Sequence, residues 1–200
     1  SQHSQLGRKI SIFINYIMRI WSARVVIMQK YAAFLRAVNV SGTGKLPMSE
    51  LKKMCEDLGF ENVKTYIASG NVVFKCDLEP KLIQAAIDAK LREFFGKSIG
   101  LYVRNLDEIK QIIFENPFKN FAPNRTIISI LDDMPNNVMD GVKNHKEEKI
   151  IGKKCAIYTY YGDGMGSSKL STPWHKNSTG RNVNTISKIL ELMEQMWLYN

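Results

Sequence analysis

The chain has 200 residues, 44% of them hydrophobic and 24% charged, and a formal charge of +9. It can bury a real core, and its composition excludes a disordered, collagen-like or disulfide-scaffold protein. Arg8, Lys9, Arg19 and Arg24 stand in an acid-free stretch over residues 1–29, so the other 24 basic residues face 19 acidic ones, a surplus of five that does not suggest a polyanion binder.

The segment from Ile10 to Ile27 is apolar but broken by Asn15, Arg19 and Arg24, too short and too charged for a membrane span, and no small-x-small cleavage site follows it. Because Met28 stands just before the first predicted strand, residues 1–29 read as an upstream or tag-derived segment. Cys55, Cys76 and Cys155 are isolated, without CxxC or CxH spacing, and read as small core residues of a reduced, cytoplasmic protein.

Tyr31 to Val38 is apolar on both alternating faces and predicts a central strand covered on two sides. A glycine-bearing loop, Asn39 to Leu46, leads into a helix with Pro47 at its start, Met48, Leu51, Met54, Cys55 and Leu58 on one face, and Gly59 as terminator. Tyr66–Ala68 and Val72–Phe74 flank Ser69-Gly70-Asn71 as a hairpin. A second helix runs from Pro80 to Gly96 with Leu82, Ile83, Ala86, Ile87, Leu91, Phe94 and Phe95 inward, and Ile99–Val103 is the last strand of the unit. The order strand, helix, strand, strand, helix, strand is the ferredoxin-like βαββαβ plan, with the first and third strands central.

After residue 104, Asn105 and Glu108 form a capping box for a helix ended by Asn116-Pro117. Thr126–Leu131 predicts a strand, Pro135–Val142 a short helix, and Lys149–Tyr161 a hairpin turning at Gly152. An irregular stretch, Gly162 to Gly180, precedes a closing helix with Ile186, Ile189, Leu190, Met193 and Trp197 on its face and Asn182 or Asn184 as cap. The fold class is therefore α+β in two subdomains: a ferredoxin-like unit over residues 30–104 and a less regular α/β layer over residues 105–200.

LRAVNVSG (35–42), YIASGNVVF (66–74), ENPF (115–118) and TGRNVNT (179–185) together resemble the bacterial family known as domain of unknown function 1697. The resemblance covers about residues 29–195 and implies a two-subdomain ferredoxin-like fold and a bacterial cytoplasmic origin, with no established activity to carry over. Where that family has a glycine after LR this chain has Ala37, and Val183 replaces its aromatic after RN.

Three polar clusters carry these motifs, and loops on a rigid scaffold are where binding residues gather. Arg36, Asn39, Ser41, Gly42, Thr43, Gly44 and Lys45 would set backbone N–H groups and a cation before a helix N-terminus, a place for an anion. It is no Walker A loop, since a glycine is missing and Leu46 stands where Ser or Thr would hold Mg²⁺. Ser69, Gly70 and Asn71 serve equally as a simple turn. In the third cluster, Thr179, Arg181, Asn182, Asn184 and Thr185, capping explains the Asn and Thr residues but not Arg181, whose charge opposes the helix dipole and calls for a carboxylate or a bound anion.

GDGMG at 162–166 lacks the dinucleotide-loop spacing, His175 has no orienting partner in sequence, and no metal-ligand set or cofactor motif is legible. The leading expectation is a small anionic, phosphate-bearing ligand held by Arg36, Asn39, Ser41, Gly42, Lys45, Ser69, Asn71, Arg181 and Asn182. Whether the protein is an enzyme stays open. The alternatives are a single-stranded RNA module using the sheet face, which lacks the aromatics it would need, and an assembly or homodimer module; no membrane association is expected.

Overall fold

The computed structural model describes residues 27–40 and 44–196. Most of the 1–29 segment, Ser41, Gly42, Thr43 and Trp197 lie outside the described residues.

The first half comprises β1 (Gln29–Leu35), α1 (Met48–Asp57), β2 (Glu61–Tyr66), β3 (Asn71–Cys76), α2 (Pro80–Phe95) and β4 (Leu101–Asn105). The strands form an antiparallel sheet ordered β2-β3-β1-β4, the ferredoxin-like arrangement with β1 and β3 central. Chain chemistry sets the helix limits: α1 gives way at Gly59 (φ 82°), and Gly96 (φ 69°) ends α2 by taking the left-handed conformation that costs other residues more. Leu51, Met54 and Cys55 of α1 and Ile83, Ile87 and Leu91 of α2 pack on Tyr31, Ala33, Leu35, Val72 and Phe74. Leu82 and Phe94, inward by spacing, are exposed, because α2 rests on a stripe one row wide. The β2–β3 turn spans residues 67–70 and β2 begins at Glu61, earlier than the sequence suggests, with a bulge between Glu61 and Lys64.

The second half holds α3 (Leu106–Phe114), β5 (Thr126–Ile130), β6 (Lys149–Gly152), β7 (Ile157–Tyr160), β8 (Thr179–Asn182) and α4 (Val183–Gln195). The Asn105–Glu108 capping box opens α3 as expected. Its sheet is ordered β6-β7-β5-β8, so second, third, first and fourth strands fall in the same sequence as in the first half. What is missing are the two crossover helices. Residues 135–142 form no helix: Asn137 turns its side chain onto the Met139 N–H and Asp140, competing with helical hydrogen bonds, and Gly141 takes φ 74°. The other crossover carries only 3₁₀ turns, at Gly162–Gly164 and Pro173–Asn177. Gly152 closes β6, and the hairpin turn follows it, pinned by Lys153 N–H to Ala156 O at 2.9 Å.

The two-sided apolarity of β1 is explained by packing. Tyr31, Ala33 and Leu35 face α1 and α2, whereas Ala32 and Phe34 join Val73, Ile109, Ile112, Ile128, Tyr158, Ile186, Ile189 and Met193 in a second core shared by both halves. Each fully buried Ile or Phe there is worth about 2 kcal/mol. The outer face of the second sheet, which α1 and α2 would cover in the first, has only a small cluster of Leu131, Ile157 and Trp174 with Met134, Val138, Val142 and Ile150.

Candidate functional site

Both halves end their fourth strand in Arg-Asn: Arg104-Asn105 closes β4 and Arg181-Asn182 closes β8. Each Asn caps the next helix, Asn105 accepting from Glu108 N–H and Asn182 from Thr185 N–H. Each Arg crosses to the other half. Arg104 Nη2 donates to Leu131 O at 2.6 Å, and Arg181 Nη2 donates to Leu35 O at 2.8 Å. These contacts are reciprocal. Arg104 pairs with Ala32 and Arg181 with Ile128, so matching Ala32 to Ile128 sets Leu35 against Leu131 and Arg36 against Asp132.

At that last pair the halves diverge. Arg104 Nη1 meets Asp132 Oδ1 at 2.9 Å, an ion pair, whereas Arg181 has Arg36 at the matching place. Arg181 is buried and its donors go to six neutral oxygens: Asn71 Oδ1, Thr179 Oγ1, and the carbonyls of Gly180, Leu35, Ser69 and Gly70. Its Cζ lies 5.8 Å from the Phe34 ring centre. Neutral acceptors satisfy the N–H groups but leave the charge. Burial pushes the guanidinium down to about 10, so it stays protonated at neutral pH. The carboxylate or anion that the sequence calls for is thus replaced, among the described residues, by a cage of oxygens.

Beside this pin opens a cleft of about 460 Å³ lined by Arg36, Ser69, Ser129, Thr159, Tyr161, Trp174, His175, Ser178 and Arg181, with no Asp or Glu in its wall among the described residues. It occupies part of the second sheet's outer face. In register, Ser129 and Thr159 stand where the first sheet has Ala33 and Phe74 under its helices. Arg36 is half-buried, its stem laid over Gly100, where an added Cβ would come within 2.9 Å of Arg36 Cβ. Its Nε donates to His175 O at 3.3 Å, and its two Nη groups have no partner among the described residues.

Of the described residues expected to bind, Arg36, Ser69 and Arg181 line this cleft, while Asn39, Lys45, Asn71 and Asn182 do not; Ser41 and Gly42 lie outside the described residues. Asn39 (φ 56°) staples its own loop, accepting from Leu46 N–H at 2.7 Å and donating to Leu46 O and Ala68 O. Lys45 is exposed and away from the cleft. Buried Asn71 donates to Tyr66 O and Ser69 Oγ while holding Arg181, and Asn182 is a helix cap. Gly70 lets that turn approach β1: a Cβ there would sit 2.6 Å from Val38 Cγ2, and φ is 82°. Ser129, Thr159, Tyr161 and Ser178 were not legible as site residues, because their polarity signals a cleft only once the second half is laid on the first.

Cys55 and Cys76 are buried and Cys155 half-buried, all free; burial pushes the Cys55 thiol up to about 12, an inert group. Among the described residues no cluster of His, Cys, Asp and Glu could hold a metal, and no helix is long and apolar enough to cross a membrane. The sheet face that single-stranded RNA modules expose is here Phe34, Val73 and Tyr102, buried in the shared core.

The family model described as protein of unknown function, DUF1697, matches residues 28–158, more than half of the chain. This chain belongs to that family. The matched span ends within β7, so the Arg-Asn junction of β8 lies beyond it. The conserved bacterial protein SP0830 from Streptococcus pneumoniae is 20% identical, with a TM-score of 0.69 over 84% of this chain and 99% of its own. At that identity the likeness shows the fold. No curated protein matches the chain.

Proposed function

We propose that this protein binds a small anionic ligand, phosphate-bearing in the first instance, in the cleft between Arg36 and β8. One observation carries the reading: Arg36 occupies the position at which the other half puts Asp132, so two guanidinium groups share a wall without a carboxylate among the described residues. Their roles differ. Arg181 has its donors engaged and acts through its charge, while the free Nη groups of Arg36 suit bidentate contact with phosphate or carboxylate oxygens. Ser129, Thr159 and Ser178 add hydroxyls, and about 460 Å³ suits a small molecule. Three free thiols fit a reducing compartment, so a cytoplasmic site of action belongs to the same proposal.

The test is thermal-shift measurement with inorganic phosphate, nucleotides and sugar phosphates on the wild-type protein and Arg36→Gln. A ligand at a hundredfold excess over its Kd raises the melting point by roughly 5–10 °C, and Arg36→Gln loses most of that rise. No rise with any member of the panel, or an equal rise in the variant, defeats the proposal.

A further inference from the structure

The matching cleft of the other half has the opposite character. A cavity of about 770 Å³ opens between β4 and the 131–148 crossover, and its wall holds Asp88, Asp132, Asp133 and Asp140 with no Lys or Arg among the described residues. Two of these carboxylates are already balanced. Asp132 has Arg104, and Asp88 has Arg92 Nε at 2.7 Å and the Ser98 hydroxyl. Asp133 and Asp140 have no cationic partner among the described residues, Asp140 taking only the Asn137 amide.

Tyr102 supplies an independent observation. It lines the same cavity, is only 8% exposed, and its hydroxyl makes no hydrogen bond to a described residue. Nor is that oxygen among the sealed polar atoms without partners, which places it on open space. Desolvation, then the neighbouring Asp132, pushes its pKa up against the smaller opposing influence of Arg36 and Arg104, so the phenol keeps its proton and its oxygen can accept hydrogen bonds. A phenol oxygen that opens into the cavity without a described partner, beside two carboxylates without cationic partners, suits a donor that carries positive charge. Trp174 adds aromatic surface to the wall.

The carboxylates do not gather as a metal-ion cluster among the described residues, although four of them line the one cavity. The geometry points to a site for an organic cation with two or more ammonium groups, a polyamine-type ligand, in the cavity that Asp133, Asp140 and Tyr102 line. This inference stands apart from the anion cleft and uses none of its residues but the shared wall of Trp174.

Spermidine is the probe, titrated into the full chain by calorimetry at low ionic strength, with phosphate response recorded in parallel. The wild-type protein binds one spermidine per chain. Replacing Asp133→Asn and Asp140→Asn together weakens it about tenfold, and Tyr102→Phe weakens it about threefold to tenfold while retaining the ring. Both asparagine positions are exposed, and circular dichroism confirms that the variants are folded. Undetectable heat at millimolar spermidine, binding unchanged in the double variant, or full displacement by an equal concentration of Mg²⁺ overturns the inference. A lost phosphate response with spermidine binding intact defeats the anion reading and leaves this one standing.

Discussion

Arg104 and Arg181 occupy the same point of two sheets with the same strand order, and each reaches the last carbonyl beyond the other half's first strand or at its end. Beside Arg104 stands Asp132; beside Arg181, at the matching position, stands Arg36. One junction is electrically closed and the other is left positive. The difference teaches how a repeated plan can be turned to separate ends: the cross-chain pin is kept in both halves, and the residue after the strand decides what the adjoining cleft attracts. A parallel contrast concerns the faces. The first sheet carries α1 and α2, whereas the second has lost both and exposes Ser129 and Thr159 to a cleft.

The strongest way to break this comparison is to remove the pins. Arg181→Met removes the guanidinium donors from Asn71 Oδ1 and from the Leu35, Ser69 and Gly180 carbonyls, of which Leu35 O keeps the Thr179 hydroxyl, a loss of about 3 kcal/mol in urea unfolding. Arg104→Met costs about 2 kcal/mol, since Asp132, at 49% side-chain exposure, turns to water. A larger loss at Arg104 than at Arg181 would contradict the assignment of the deeper cage to β8. Next in size is the swap that makes the halves alike. Arg36→Asp gives Arg181 a counter-charge and raises stability by about 1 kcal/mol, while abolishing any phosphate-dependent thermal shift.

Smaller effects sharpen the picture. Ala37 has φ 53°, a left-handed backbone at the position where the family resemblance places glycine. Ala37→Gly relieves that strain against the extra entropy of an unfolded glycine and stabilises by about 0.5 kcal/mol, read as a shift in the urea midpoint at constant slope. The smallest effect lies in the helix-free crossovers, which Glu148 ties together by accepting from the Ser168 hydroxyl and Lys146 N–H. Those hydrogen bonds hold its pKa below the usual 4.5, so its contribution is present above that value and fades as pH falls through the folded one. The stability gap between wild type and Glu148→Gln accordingly narrows below about pH 4.5 in acid unfolding curves.

Most of the first half, and the helix that opens the second, were legible in sequence because their signals are local: Pro80 and Gly96 bracket α2, β1 alternates between two apolar faces, and Asn105 and Glu108 cap α3. The plan of the second half was not, because Pro135, Asn137 and Gly141 replace a helix with turns, and strand order depends on contacts across the chain. Arg181 stood out by its position before a helix, yet its partners arise from residues 35, 69, 70 and 71, more than a hundred positions upstream. Asn39 and Asn71, expected to bind a ligand, hold their own turns through hydrogen bonds, a role that residue type alone does not reveal.

The reciprocal pins also bear on how the chain is made. Leu35 and Arg181 lie 146 positions apart, so the first plait leaves the ribosome long before its inner greasy side, with Ala32, Phe34 and Val73, receives Ile186, Ile189 and Met193. Nascent chains pass through a stage in which the first sheet shows bare hydrocarbon to water, a natural target for chaperones, and closure comes only with α4.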